Sequence, residues 1–165
     1  MNRKLLALSA AVALAGAAPA TAASPKPPAP GIYTAAVFVV AATGPENSCE
    51  FVAQTGQSYN GVFYYPGPDK PGANLRVVGA TDNGPNVYIH EFPKTPAANA
   101  TNWTGAGLEG FEGSTPLQPM TFKATIGLLD ASSFTMTLNV KVTVASGKVC
   151  HYGANVALAR SAPVN

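Results

Sequence analysis

SFTMTLNVKVTVASGKVCHYGANVALA, residues 133–159, alternates in polarity for most of its length. Phe134, Met136, Leu138, Val140, Val142 and Val144 fall on one face, and Thr135, Thr137, Asn139, Lys141 and Thr143 on the other. A period of two with one dry and one wet face marks an antiparallel strand. The register of the following strand is then constrained, because cross-strand partners share a face. A two-residue turn at Ser146-Gly147 sets Val142 against His151 and Leu138 against Asn155, which mixes the faces. A three-residue turn at 145–147, with Gly147 in the left-handed position of a G1 bulge, pairs Val142 with Cys150, Val140 with Tyr152, Leu138 with Ala154 and Phe134 with Leu158. This register keeps the faces consistent. It sends Cys150 inward and His151 outward, so these neighbours diverge and form no local ligand or nucleophile pair.

The preceding segment repeats the pattern, with Met120, Phe122, Ala124, Ile126 and Leu128 against Thr121, Lys123 and Thr125. Working outward, nine candidate strands emerge: 31–42, 49–55, 59–65, 74–80, 86–92, 103–111, 120–129, 133–145 and 148–159. Gly, Pro, Asn and Asp clusters separate them, as turns require. Thr95-Pro96-Ala97-Ala98 has the composition to cap and start one helical turn. The segment IYTAAVFVVAA, residues 32–42, is apolar on both faces, so its outer face calls for a covering loop or partner.

An antiparallel meander of eight or nine strands predicts an all-β domain, closed as an up-and-down barrel. A two-sheet β-sandwich is the alternative. A membrane-spanning barrel also alternates, but short Pro-bounded middle strands and the SAPVN end speak against it.

The chain opens with Arg3 and Lys4, an apolar run from Leu5 to Ala18, and Ala20-Thr21-Ala22. This is the pattern of a secretory signal peptide over residues 1–23, too short in its apolar part to span a bilayer. The expected order is then a Pro-rich leader at 24–30 that stays out of the core, one β domain at 31–160 and a tail at 161–165. Such a protein is exported, to the periplasm or beyond, and its mature part has no transmembrane segment. Without Arg3 and Lys4, eight basic residues face eight acidic ones. No basic cluster is interleaved with aromatics, so nucleic acid is not expected as a partner. In an exported chain, Cys49 and Cys150 read as one disulfide.

Candidate chemistry is sparse. Two separated histidines and two cysteines do not make a metal site, and no cofactor motif is present. A nucleophile triad would rest on His90 or His151, without a G-x-S-x-G elbow. A glycosidase pair would be drawn from Glu91, Glu109, Glu112 and Asp130, which read more simply as surface carboxylates. In GAGLEGFEG, residues 105–113, alternate glycines mark bends or the close approach of a backbone or ligand.

A five-residue loop TDNGP would place Arg76 opposite His90 and Val78 opposite Tyr88. Arg76, Tyr88, His90 and Phe92 then share a face, with Tyr64 or Tyr65 and Trp103 nearby. This group is either a binding surface, with Tyr65, Arg76, Tyr88, His90 and Trp103 as its members, or an ordinary outer face of amphipathic side chains. The function expected is a non-enzymatic exported barrel that binds a small ligand or a cell-envelope component. The alternative is a structural or adhesive protein acting through protein contacts. An internal cavity would mark the first, an exposed apolar patch the second.

Overall fold

A computed structural model describes residues 26–44, 55–81, 84–113 and 115–164. Eight strands follow one another: β1 (Gly31–Thr43), β2 (Ser58–Tyr65), β3 (Ala73–Thr81), β4 (Gly84–Phe92), β5 (Asn102–Phe111), β6 (Gln118–Leu128), β7 (Ser133–Thr143) and β8 (Val149–Pro163). Each pairs antiparallel with its sequence neighbours, and β1 pairs with β8, which closes the barrel. The sandwich alternative is thereby set aside. The expected strand at 49–55 falls almost wholly outside the described residues.

The β7–β8 hairpin has the expected register, with Phe134↔Leu158, Leu138↔Ala154, Val140↔Tyr152 and Val142↔Cys150. Gly147 has φ +78°, which only glycine adopts without strain, and the turn closes through Val144 N–H to Lys148 O at 3.0 Å. Cys150 is fully buried, and His151 is exposed on the outer wall. The alternation of β6 and β7 puts their apolar sets inside and their Thr and Lys residues outside.

Buried side chains from all eight strands point into the lumen. At the end where β1 begins, here the leader end, aromatic rings interlock: Phe92 lies 4.6 Å from Trp103 and 4.9 Å from Phe122, and Phe63 lies 6.0 Å from Phe134. Such edge-on contacts add to the area that the rings bury. At the opposite, hairpin end, the lumen holds Met120, Val142, Cys150 and a polar cluster described below.

Three expectations are corrected, and one falls outside the described residues. The β3–β4 register is shifted by one: Thr81 pairs with Gly84 and leaves just positions 82 and 83 between the strands. Leu75 and Val77, not Arg76 and Val78, therefore share the inner face with His90 and Tyr88. A one-residue slip exchanges the two faces of a strand, and β3 carries apolar residues on both, so its own pattern did not decide. The second concerns the Pro-rich leader, which does pack against the barrel. Pro27, Pro28 and Ala29 are half-buried, Ala29 N–H donates to Ala131 O at 3.0 Å, and Tyr33 Oη donates to Ala29 O at 2.5 Å.

Third, the disulfide expected between Cys49 and Cys150 involves Cys49, which lies outside the described residues. Among the described residues, the early-to-late connection is the β1–β8 ladder, from Gly31↔Pro163 to Thr43↔His151. Fourth, Thr95 starts no helical turn. Its buried hydroxyl donates to Gly67 O at 2.6 Å and accepts from Lys70 N–H at 2.8 Å, fastening the 93–101 loop to the 66–72 loop.

Candidate functional site

Alternation along β5 places Trp103, Gly105, Gly107 and Glu109 on the inner face. The glycines make room: a Cβ on Gly105 would lie 3.1 Å from the Phe122 ring, and one on Gly107 would lie 2.2 Å from the Glu91 carbonyl oxygen. The expected close approach of another backbone is thus found at Gly107. Glu109 continues the series and enters the lumen with no exposure at all. A carboxyl group so placed requires partners.

Two tyrosines supply them. Tyr88 Oη donates to Glu109 Oε1 at 2.7 Å, and Tyr152 Oη donates to Oε2 at 2.8 Å. His90 Nε2 meets the Tyr152 hydroxyl and lies 3.5 Å from Glu109 Oε2. The Tyr152 hydroxyl thus stands between the carboxyl and the imidazole. His90 Nδ1 is buried, with no partner in hydrogen-bonding geometry among the described residues. His90 also stacks on Phe92, centroids 6.5 Å apart, linking this quartet to the aromatic layer.

Burial dominates the electrostatics. It raises the Glu109 pKa to about 7, against the opposing effect of the hydrogen bonds from Tyr88 and Tyr152. It lowers the His90 pKa to about 4, with the Leu75 backbone acting in the opposite direction. Both phenols are raised, first by burial and then by the Glu109 charge. Near neutral pH the quartet therefore holds one titrating proton, that of Glu109, beside a neutral histidine. A carboxyl group poised near neutrality suits acid–base chemistry, but this one is sealed from solvent and both its oxygens are engaged.

The five residues expected to form a binding face do not do so together. Tyr88 and His90 belong to the quartet. Tyr65 and Trp103 lie inside the leader end, each stacked or edge-on to Phe63, and burial pushes the Tyr65 phenol up to about 12. Trp103 Nε1 donates to Lys94 O at 2.9 Å. Arg76 points outward and bridges Glu112 at 3.0 Å, crossing β4 at its ladder partner Ile89. That crossing accounts for an outward Ile89 which is nevertheless buried.

The other carboxylates considered for a glycosidase pair are elsewhere. Glu91 is on the outer wall, Glu112 is held by Arg76, and Asp130 accepts from Ser132 N–H at the leader end. Among the described residues no group of three or more His, Cys, Asp and Glu side chains converges on a metal position. Nor is any helix there long and apolar enough to cross a membrane.

A second feature lies on the outside. The outer face of β1 is uncovered, with Phe38 45 % and Val40 43 % exposed, and Val62 of β2 adds to it. A groove of about 540 Å³ crosses this wall between Ala36, Phe38, Asn60, Thr137, Asn155 and Ala157. Inside the leader end, by contrast, the space between Pro27, Pro28, Tyr65 and Trp103 amounts to about 20 Å³. No protein family, curated protein or solved structure matches this chain.

Proposed function

We propose that the chain is exported under a signal at residues 1–23 and acts as a non-enzymatic module through protein contacts on its outer wall. The observation that carries this reading is the contrast between a tightly packed leader end of the lumen and an outer wall that exposes Phe38, Val40 and Val62. A space of about 20 Å³ accommodates about one water, far below the few hundred Å³ of a small-molecule site. Contiguous exposed apolar surface on a closed barrel, by contrast, is characteristic of contact sites.

The quartet fits the same reading as a structural element. Its hydrogen bonds join β4, β5 and β8 through side chains, while β4 and β5 share a ladder of only Tyr88↔Phe111 to Glu91↔Leu108. The packed leader end favours protein contacts over a ligand held there.

Native mass spectrometry of the protein from its exported fraction tests the reading. A signal-cleaved chain in a protein assembly, with no small-molecule adduct, is the expected result. A cleaved monomer carrying a stoichiometric organic adduct would overturn the proposal, as would recovery of the uncleaved chain from the cell interior alone.

A further inference from the structure

We infer that the leader-end half of β5 is a docking edge for an extended peptide strand of another protein, one that carries an acidic side chain on its outer face. β6 pairs with β5 from Asn102 to Glu109, whereas β4 pairs with it only from Leu108 to Phe111. Residues 102–107 therefore have a neighbouring strand on one side alone among the described residues. In an antiparallel strand the N–H and C=O of one residue point to the same side, and successive residues alternate. Two bonds fix the direction. Ile126 N–H donates to Thr101 O at 2.8 Å, so the odd-numbered residues serve β6; Glu112 N–H donates to Val87 O at 2.8 Å, so the even-numbered ones serve β4. Pro119, which has no N–H, stands opposite even-numbered Leu108, as this parity requires. The backbone groups of Asn102, Thr104 and Ala106 thus face the β4 side, past the point where β4 has ended.

Pro93 ends it. Continued by two residues from Glu91↔Leu108, the ladder would set Pro93 against Ala106, and Pro93 has no N–H to give. From there the chain turns across the end of the barrel, where Thr95 is held by Gly67 and Lys70, and Trp103 Nε1 donates to Lys94 O. Asn102, Thr104, Gly105 and Ala106 are all exposed, and no backbone bond from the 93–101 loop reaches them. Natural strand edges are commonly blunted by charge, proline or a bulge. From 102 to 107 β5 has none of these: it reads Asn-Trp-Thr-Gly-Ala-Gly, and its register with β6 is unbroken.

The surroundings select the guest. Donors and acceptors alternating at strand spacing are matched by another extended backbone, the mode of strand addition. Guest side chains that face inward beside Gly105 must be apolar, because the rings of Phe92, Trp103 and Phe122 pack there. Outward, Lys123 lies across from Thr104, is exposed and has no ion-pair partner among the described residues. This cation favours an acidic side chain on the outer face of the guest. A second copy of the chain fits less well. It would bring β4 and the 93–101 loop against their counterparts and Lys123 toward its own like charge, whereas a single strand has no such flanks. The edge is separate from the exposed wall of β1, so it adds a contact site to the reading above.

Amide hydrogen exchange and peptide titration of the exported chain, both followed by NMR, test the inference. In the free protein the amides of Thr104 and Ala106 should exchange at least about a hundredfold faster than those of Gly105 and Gly107, which face β6. A capped peptide Thr-Val-Glu-Val-Thr should shift and protect the edge amides saturably, with a Kd of about 1 mM or tighter. N-methylation of its central Glu, which would pair with Thr104, should weaken binding at least about tenfold, and N-methylation of a Val, whose N–H points away, should not. Lys123→Glu should weaken this peptide about threefold or more and favour the one with Lys in place of Glu. Edge amides already protected in the free protein overturn the inference. So do a response that does not saturate by about 10 mM, binding indifferent to the site of N-methylation, and binding indifferent to the charge of the central residue. None of these results bears on the wall of β1, which the mass measurement judges.

Discussion

Tyr152 donates its phenolic proton to Glu109 at 2.8 Å inside the barrel while the same oxygen meets His90 Nε2. One hydroxyl thus joins a carboxyl whose pKa is raised to about 7 and an imidazole whose pKa is lowered to about 4. The two shifts act oppositely on stability. Glu109 favours the fold fully below its unfolded value of 4.5, and that contribution is lost as pH rises through about 7. His90 favours the fold above its unfolded value of 6.5, and that contribution is lost as pH falls through about 4.

In the overlap between these windows the two slopes cancel, so wild-type stability should be nearly level from about pH 4.5 to 6.5. Glu109→Gln keeps a hydrogen-bonding side chain and removes one titration. Its stability should climb by about 3 kcal/mol from pH 4 to 6.5, following His90 alone. Urea titrations across this range check it. A level profile in the variant would show that His90 is not held neutral by burial.

Arg76 and Trp103, expected to be members of one face, should differ sharply on truncation. The Arg76–Glu112 bridge is exposed, at 42 % and 48 %, and Arg76→Ala should cost less than about 1 kcal/mol. Trp103 touches Phe92 and Phe122 at 4.6 and 4.9 Å, and Trp103→Ala should cost about 3–5 kcal/mol. Equal losses in chemical denaturation would restore the expected shared face.

Those two residues also show where sequence is informative. The β7–β8 register was legible because each strand has one apolar face and Gly147 sits where a three-residue turn needs a left-handed residue. In β3, Leu75 and Val77 on one face compete with Val78 on the other, so the register hangs on loop length, and a five-residue loop is longer than the Thr81↔Gly84 pairing allows. Glu109 was hidden by its charge, which suggests a surface; the alternation from Trp103 through two glycines was the signal for its inward direction. The β7–β8 register sends Tyr152 inward, but its meeting with Glu109 joins β8 to β5, and no local pattern encodes that distance.

Gly107 and Gly79 give a paired test of close approach. A Cβ at Gly107 would lie 2.2 Å from Glu91 O and 2.8 Å from Met120 Cε, so the β4–β5 ladder would have to part. Gly107→Ala should cost about 2–4 kcal/mol. At Gly79 the nearest atom, in the Tyr59 ring, is 3.8 Å away, and Gly79→Ala should be neutral or stabilising by up to about 1 kcal/mol. Thermal denaturation of both variants distinguishes the sites, and a tolerated Gly107→Ala would mean that β4 and β5 are not held at this spacing.

The leader is held by backbone bonds and by one side chain whose loss is conservative. Tyr33 is fully buried, its ring lies 5.2 Å from Phe134, and its hydroxyl reaches Ala29 O. Tyr33→Phe preserves the ring packing and removes that hydrogen bond, so global stability should fall by only about 1 kcal/mol. Local effects should be larger than global ones, because Pro27 and Pro28 are merely half-buried and Arg160 Nη2 holds Pro30 O from an exposed position. Amide exchange of Ala29, which donates to Ala131 O, should therefore accelerate in the variant while core amides of β7 remain protected. Unchanged exchange at Ala29 would assign the docking to its own ladder-like bond and to Arg160, and would make Tyr33 a packing residue alone.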